Sequence, residues 1–410
     1  MYANILRVTG LDGKGQWRAF LVAGGHGSTH WIIATFYILV PYIRSDLELS
    51  YAEAGVFASV FFCSSFIANA GSGAIVDITG RRVFLQCLSL LIGGGALLVL
   101  GAAEGIWLII SMLIFIGATN NLWHPAAISY LSDLYPNNRG YVLSIHTLGA
   151  SLGDMIAPLV AGILLVGMTW QMTAVVSAMP IFVMAVVLYL TLAERRTNGS
   201  DEDRNNPRSL GISGADYIKG ILHLVCNVPF VGICLMAAFR SMAQNGLLFF
   251  LPLLMLDELG FGSLLLGLAL MALQTGGMIA GPVAGTLSDY TGRRPVALIS
   301  LAATTVVIAL LSNINTSTLF VIVLVLLGFT LFAVRPVIHS WTMDLTPREL
   351  GGSAISVLFA AQAGFSAAVP IVGGLVADEW GLDKVFYGLA GCMAIATVIV
   401  YFLPATKPNS

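Results

Sequence analysis

The stretch GAIVDITGRR at residues 73–82 returns as GTLSDYTGRR at residues 285–294. Five of the repeated residues keep an offset of 212, which pairs Gly73, Asp77, Gly80, Arg81 and Arg82 with Gly285, Asp289, Gly292, Arg293 and Arg294. Asp133, Pro136 and Gly140 return as Asp344, Pro347 and Gly351 at an offset of 211, and Pro158 returns as Pro370 at 212. Gly, Pro, Asp and Arg residues that recur at a nearly constant offset indicate an internal duplication of the chain.

The residues around the two copies are too apolar for a water-soluble protein. Of the 410 residues, 57% are hydrophobic and only 10% are charged, whereas soluble domains carry about 25% charged residues. This composition excludes a soluble enzyme, a nucleic-acid binder and a disordered chain. It predicts a protein whose helices span a lipid bilayer, with no nucleic-acid partner.

Twelve apolar runs are long enough to span a bilayer, which takes about 20 residues. They lie near residues 18–43, 51–76, 83–102, 106–132, 140–166, 169–192, 228–256, 263–287, 295–312, 317–344, 350–376 and 382–403. The polar linker between the sixth and seventh runs divides them six and six. The predicted domains are a cytosolic tail (1–16), a six-helix bundle (17–192), a cytosolic linker (193–220), a second six-helix bundle (221–404) and a cytosolic tail (405–410).

The basic residues predict the orientation of the chain. With both termini cytosolic, fifteen of the nineteen Lys and Arg residues lie on the cytosolic side, and two, Arg44 and Lys384, lie outside. Arg240 and Arg335 fall within apolar runs. This bias predicts a multi-pass protein of a cell membrane, and the short loops favour a bacterial inner membrane and a monomer.

No enzyme motif accompanies these runs. The five cysteines lie in apolar stretches without a CxxC pair, and we find no metal-ligand cluster, nucleotide-binding loop or GxSxG context. The sequence therefore predicts no catalytic activity, no cofactor and no metal.

The motif GxxxDxxGRR after the second and eighth runs resembles the signature of the major facilitator superfamily. The resemblance covers nearly the whole chain, because it includes twelve spans, a central linker and both motif copies. It implies an all-α membrane protein of twelve transmembrane helices in two pseudo-symmetric six-helix bundles. It further implies transport by alternating access through a central cavity that the first and fourth helices of each bundle line.

A narrower resemblance covers roughly the first 170 residues. The stretches TNNLWHPAAISYLSD (119–133) and GASLGDMIAPL (149–159) are similar to those of fosmidomycin-resistance-type exporters, and Ser28, Thr29 and His30 fit the Ser-His pattern of helix one. The chain departs from that pattern at Asp154, where a small neutral residue is expected. Leu113 stands where many drug/proton antiporters carry Arg.

The duplicated motif is predicted to act as a gate. Its arginines lie at the cytosolic ends of spanning helices, with Asp77 and Asp289 about one turn deeper. Such a carboxylate can face an Arg or the N-terminus of a helix in the other bundle, where a contact is worth about 0.3–1 kcal/mol. Contacts that form in only one state would bias a rocking equilibrium. The alternative is that these charges only anchor the topology.

Polar residues inside spanning helices are costly, so each is a functional candidate. Helices one, four, seven and ten each carry a polar pair at i and i+4, hence on one face. The pairs are His26 and His30, Asn120 and His124, Arg240 and Gln244, and Arg335 and His339. We predict substrate contacts from His30, Asn120, His124, Arg240, Gln244, Arg335 and His339.

The charges of this constellation predict an anionic substrate. His124-Pro125 and Arg335-Pro336 correspond at an offset of 211, and Arg240 adds a second fixed positive charge. Two arginines in apolar surroundings need an anion or several acceptors, which a carboxylate, phosphate or phosphonate supplies. Asp154 is predicted either as a counter-ion to an Arg or as a proton carrier, and His30 and His124 are the other proton-coupling candidates.

Three functions remain open at this point. The first is secondary active transport of a small anionic or amphipathic solute, by proton-coupled export. The second is an uptake symporter or exchanger for an organic anion, which the paired arginines and Leu113 favour. The third is a receptor or partner subunit without flux, against which the intact double motif argues.

Overall fold

The computed structural model describes residues 11–192, 222–311, 313–314, 316–347 and 350–404. Most of the predicted N-terminal tail and all of the predicted linker and C-terminal tail lie outside these ranges. The described residues contain helices and no β-strand.

Twelve long helices account for most of the described residues, and their bounds lie within a few residues of the predicted runs. In the first half they are α1 (Gly13–Asp46), α2 (Tyr51–Thr79), α3 (Arg82–Leu100), α4 (Ile106–Leu134), α5 (Arg139–Leu164) and α6 (Trp170–Leu192). In the second half they are α7 (Val228–Leu253), α8 (Ser263–Thr291), α9 (Arg293–Leu311), α10 (Ser317–Asp344), α11 (Gly351–Trp380) and α12 (Leu382–Phe402).

Eleven of these twelve helices are long and apolar enough to cross a membrane. The exception is α1, which is the longest at 34 residues but has lower hydropathy because of its histidines, glycines and hydroxyl side chains. A helix rises about 1.5 Å per residue, so even the 19-residue α3 and α9 approach the thickness of a bilayer core. The predicted fold class, an all-α membrane protein, is confirmed.

The glycine of the repeated motif forms the tight turn between two spanning helices. Gly80 has φ +59°, caps the C-terminus of α2 and donates its backbone N–H to the carbonyl of Val76. Its counterpart Gly292 has φ +90° and joins α8 to α9. Only glycine adopts this left-handed conformation without steric cost, which explains why the motif needs it at both positions.

The described residues divide by mutual contact into two compact units. Unit 1 contains those within Met1–Thr197 together with Met255–Met271, and unit 2 contains those within Asn198–Leu254 together with Ala272–Ser410. The predicted domain boundaries remain predictions.

In unit 1, the backbones of α1 and α5 approach closely where glycines remove the side chains. A Cβ atom on Gly149 would lie 2.0 Å from the carbonyl oxygen of Ala23, and one on Gly153 would lie 2.2 Å from that of Gly27. Small residues permit such packing between membrane helices. As a consequence, polar side chains of α1 lie directly beside those of α5.

Unit 1 also includes the start of α8 and, from Met255 onward, the π-helical turn Leu254–Glu258 before it. Arg44 at the end of α1 forms an ion pair with Asp257 at 2.8 Å, and the Tyr51 hydroxyl donates to the same carboxylate at 3.2 Å. The Tyr42 hydroxyl bonds Ser263 at 2.8 Å. Charged and hydroxyl groups therefore tie this end of α1 to residues 255–271.

Candidate functional site

Four histidines of unit 1 come together where α1, α4 and α5 meet. The His26 ring stacks on His146 with centroids 3.8 Å apart, and lies edge-on to His30 and His124 at 4.9 Å each. His26 and His146 are buried, whereas His30 and His124 are partly exposed. The predicted residues His30 and His124 are thus brought together, with their ring centroids 6.4 Å apart.

Each imidazole of this cluster has a hydrogen-bond partner on a second helix or in its own turn. The Nδ1 atom of His26 lies 2.8 Å from the backbone carbonyl of His146, and that of His124 lies 2.8 Å from the carbonyl of Asn120. The indole N–H of Trp123 donates to Nε2 of His146 at 3.3 Å. These contacts hold the ring orientations in place.

Asp154 pairs with a histidine. Its Oδ2 atom lies 3.0 Å from Nδ1 of His30, and both side chains keep about a fifth of their surface exposed, 22% and 17% respectively. Of the two roles predicted for Asp154, a counter-ion to Arg has no support among the described residues, because its ion pair there is with His30. Proton exchange at Asp154 stays a prediction.

Asn120 lies one turn before His124 on α4, as its spacing predicts. Its side-chain oxygen is buried and has no hydrogen-bond partner within the described structure. Buried polar atoms are nearly always hydrogen-bonded, so this oxygen is able to accept a bond from water or from a ligand.

Unit 2 carries two guanidinium groups in its predicted site, on α7 and α10. Arg240 on α7 is 3% exposed and donates through Nη2 to the carbonyl of Leu331 on α10 at 3.0 Å. The Nε atom of Arg240 and the Oε1 atom of Gln244, one turn along α7, are buried and unpaired among the described residues. α7 therefore presents a donor and an acceptor whose hydrogen-bonding capacity is unused.

Arg335 and His339 of α10 complete the predicted set. Arg335 is exposed and His339 is partly buried against Phe359, with ring centroids 5.5 Å apart. The charges of Arg240 and Arg335 repel each other, and both act on His339. Within the described ranges neither arginine forms an ion pair with an acidic side chain. The substrate-contact assignments themselves stay predictions.

Polar pairs join α7 to α11 beside these arginines. The Ser241 hydroxyl donates to Gln362 at 2.8 Å, and the Asn245 amide donates to Ser366 at 2.9 Å. Ser366 stands four residues before Pro370, as Asp154 stands four before Pro158. The duplicated position is therefore a carboxylate in unit 1 and a neutral hydroxyl in unit 2.

The motif arginines pair with aspartates at the ends of α4 and α10. Arg82 lies 2.5 Å from Asp133, and Arg293 lies 3.1 Å from Asp344, with a separation of 51 residues in both cases. Arg293 also bonds Asp289 and, at 2.8 Å, Ser288. Arg294 donates to the carbonyl of Tyr401. The side chain of Asp77 lies outside the described set, so the gating role of the motif stays a prediction.

Several residues with a place in these clusters were not predicted as site residues. They are His26, His146, Gln362, Asp133 and Asp344. The aspartates carried a signal, since both recur at the duplication offset. His26 and His146 lie 120 residues apart, on α1 and α5. The i, i+4 spacing that identifies residues on one face of a helix says nothing about contacts between two helices. For the same reason the sequence predicted no metal ligands, whereas His26, His30 and His124 offer ligand nitrogens within 4.8 Å of one another.

Known proteins share this architecture along the whole chain. The family model of the Major Facilitator Superfamily matches residues 22–360 and 233–410. A Salmonella typhimurium phosphoglycerate transporter protein is 21% identical, covering 89% of this chain and 84% of its own. The multidrug resistance protein MdtG of Yersinia enterocolitica is 23% identical, covering 90% and 87%.

A solved structure agrees with the fold. The crystal structure of a bacterial homologue of the human lysosomal transporter Spinster superposes with a TM-score of 0.81 at 15% identity, and covers 96% of this chain and 97% of that one. Together with the twelve helices and the duplicated motif, these matches show that the chain is a multi-pass membrane transporter for small molecules and not an enzyme. It belongs to the Major Facilitator Superfamily.

Proposed function

We propose that this transporter carries a small organic anion with a carboxylate, phosphate or phosphonate group, and exports it in exchange for protons. One observation carries the anion assignment: Arg240 and Arg335 lie in unit 2 without an acidic partner among the described residues, and the buried Nε of Arg240 has no acceptor. An oxyanion supplies acceptors in the fork geometry that guanidinium groups prefer.

The neighbouring side chains suit the rest of such a solute. Gln244 offers a buried oxygen that accepts a hydrogen bond, and His339 offers an imidazole that donates or accepts one. A hydroxylated carboxylate or phosphate would use both types of contact. The relative named as a phosphoglycerate transporter supports this substrate class.

The direction of transport rests on different grounds. The resemblance to fosmidomycin-resistance-type exporters and the relative named MdtG, a multidrug resistance protein, favour export. Asp154, His30 and His124 remain the predicted proton-coupling residues. The alternative is an organic-anion uptake symporter or exchanger, which the paired arginines and Leu113 favour.

Reconstitution separates these possibilities. The purified chain is placed in proteoliposomes, and uptake of phosphoglycerate, an alkyl phosphonate and a dicarboxylate is measured with and without an imposed pH gradient. In inside-out vesicles, accumulation driven by an acidic lumen supports proton-coupled export. Exchange of internal for external anion without a gradient supports the exchanger instead. Movement of a cationic dye with no anion flux contradicts the anion assignment.

Arg335→Ala tests the site directly, with Arg139→Ala as a matched control because Arg139 is exposed at the start of α5. Anion binding is measured on both variants at equilibrium. We expect binding to fall with Arg335→Ala and to persist with Arg139→Ala. Undiminished binding in Arg335→Ala would remove this arginine from the site.

A further inference from the structure

The histidine cluster of unit 1 has features that an ordinary buried polar cluster does not need. His26, His30 and His124 each offer one ring nitrogen, and these three atoms lie within 4.8 Å of one another. They come from two different helices, α1 and α4, so their convergence depends on tertiary packing. The sequence spacing within α1 places only His26 and His30 on one face.

The second ring nitrogen of each histidine already has a partner that decides the tautomer. A backbone carbonyl can only accept, so the Nδ1 atoms of His26 and His124, each 2.8 Å from a carbonyl oxygen, both carry hydrogen. His30 donates its Nδ1 hydrogen to Asp154 at 3.0 Å. In the neutral state all three Nε2 atoms therefore present lone pairs.

Two of these lone pairs face each other at short range. Nε2 of His26 lies 3.2 Å from Nε2 of His124, a distance at which one atom of the pair would normally donate. Since both Nδ1 hydrogens are engaged elsewhere, neither neutral ring has a hydrogen to place between them. A cation between the two nitrogens removes this repulsion.

The separation suits two ligands of one transition-metal ion. Zn²⁺ binds imidazole nitrogens at about 2.0–2.1 Å, which puts two tetrahedral ligands about 3.3 Å apart. His30 supplies a third nitrogen from the next turn of α1. Hard cations such as Mg²⁺ and Ca²⁺ prefer oxygen ligands, whereas imidazole suits Zn²⁺, Ni²⁺, Cu²⁺ and Co²⁺.

The surroundings of the three rings resemble the outer shell of a metal site. Metal-binding histidines usually donate their other N–H to a carboxylate or a backbone carbonyl, which orients the ring and raises its basicity. Here Asp154 and the carbonyls of His146 and Asn120 fill this role for all three ligands. His30 and Asp154 keep part of their surface exposed, which leaves a route of entry.

We propose that unit 1 binds one divalent transition-metal ion through the Nε2 atoms of His26, His30 and His124, with Asp154 as a positioning residue. Three protein ligands leave at least one coordination position for water or for a donor atom of another molecule. The site shares no residue with Arg240 and Arg335, on which the proposed anion binding rests.

Optical titration of the full-length protein with Co²⁺ tests the site. The protein is purified in detergent with the exposed Cys63 and Cys226 changed to Ser, so that surface thiols do not compete. We expect one Co²⁺ per chain with visible d–d absorption, which Zn²⁺ abolishes by displacement. Absence of saturable Co²⁺ binding would overturn the proposal and leave a proton as the bridging cation.

Variants assign the ligands. Loss of an outer-shell partner weakens metal binding by about 10- to 100-fold. We expect His26→Gln and His124→Gln, which each remove a ligand, to weaken Co²⁺ binding by more than that. His223→Gln is the matched control, because His223 is exposed and distant in sequence from the cluster. Equal affinity in His26→Gln and His223→Gln would contradict the assignment.

A conservative replacement distinguishes a ligand from a structural role. His124→Cys removes the ring but supplies a thiolate, so Co²⁺ binding should return with an added sulfur-to-metal absorption band. Elution volume and thermal midpoint in detergent report whether each variant is folded. A folded His124→Cys protein that binds no Co²⁺ would refute His124 as a ligand.

Discussion

Units 1 and 2 each contain one copy of the repeated motif, yet their polar interiors carry different chemistry. In unit 1 the interior groups are imidazoles, one carboxylate and the amide of Asn120, and the imidazoles and the carboxylate have hydrogen-bond partners, as in the His30–Asp154 pair. In unit 2 they are guanidinium and amide groups, and the Nε of Arg240 and the Oε1 of Gln244 are unpaired among the described residues. The duplicated scaffold thus fixes where polar groups can lie, while substitution decides what they bind.

The difference has an electrostatic consequence. In unit 1 the carboxylate of Asp154 balances the positive charge that a proton or a metal ion would bring. The lone pairs of the histidine nitrogens are already placed to bind either one. Unit 2 has Ser366 at the corresponding position, and Arg240 and Arg335 form no ion pair with an acidic side chain in the described ranges. The proposed organic anion would supply negative charge beside these two arginines.

The largest effect is expected from closing the contact that builds the unit 1 cluster. Gly149→Ala places a Cβ atom 2.0 Å from the carbonyl of Ala23, and backbone cannot yield as a side chain can. Overpacking costs about 1–3 kcal/mol and occasionally more. We expect the upper end of this range or beyond, measured as a lowered thermal midpoint and a poor yield of monodisperse protein.

Gly95→Ala in α3 is the control for that change, since a Cβ atom there meets no other atom within 4 Å. It should leave stability unchanged or raise it slightly, by up to about 1 kcal/mol, because glycine disfavours helix interiors. Equal destabilisation by both variants would show that helix 1–5 contact does not limit stability.

The next largest effect concerns unit 2 alone. Arg335→Ala should weaken anion binding by about 10- to 150-fold, the equivalent of losing a charge-assisted hydrogen bond of about 1.5–3 kcal/mol. Co²⁺ binding should be unchanged, because the metal ligands all belong to unit 1. Parallel loss of both activities would mean that the two interiors form one coupled site.

The reciprocal change is Asp154→Asn. It keeps the shape of the side chain but replaces the carboxylate that accepts from His30, so Co²⁺ affinity should fall about 10- to 100-fold. Equilibrium anion binding at Arg335 should stay within about twofold, since the proposed anion contacts do not involve this carboxylate. Calorimetric titration with CoCl₂ and with phosphoglycerate measures both quantities on one preparation.

The smallest effect compares the two motif copies. The side chains of Arg82 and Asp133 are 33% and 39% exposed, so a double-mutant cycle on this pair should give about 0.2–1 kcal/mol. Arg293 is 11% exposed and bonds Asp289, Ser288 and Asp344, so Arg293→Gln should destabilise the protein more than Arg82→Gln does. Thermal midpoints of both variants in the same detergent test this ranking. A larger loss of stability in Arg82→Gln than in Arg293→Gln would contradict it.

Much of the fold could be predicted because its signals are local. Each spanning helix is one contiguous apolar run, and each motif glycine occupies a turn that only glycine favours. The candidate site was predictable to the extent that it repeats within a helix, as in Arg240 with Gln244 and Arg335 with His339. His26 and His146 were not predicted as site residues because their partners lie on other helices.

The sequence by itself determined the twelve helices, the duplication and the chemical type of each intramembrane polar group, since composition and periodicity are properties of one segment at a time. Only the tertiary structure decided which groups meet. The absence of side chains at Gly149 and Gly153 lets α5 approach α1 until His146 stacks on His26 and Asp154 reaches His30. Such contacts depend on the rotation and spacing of two helices. Helix packing sets both, and neither can be deduced from the sequence of one segment.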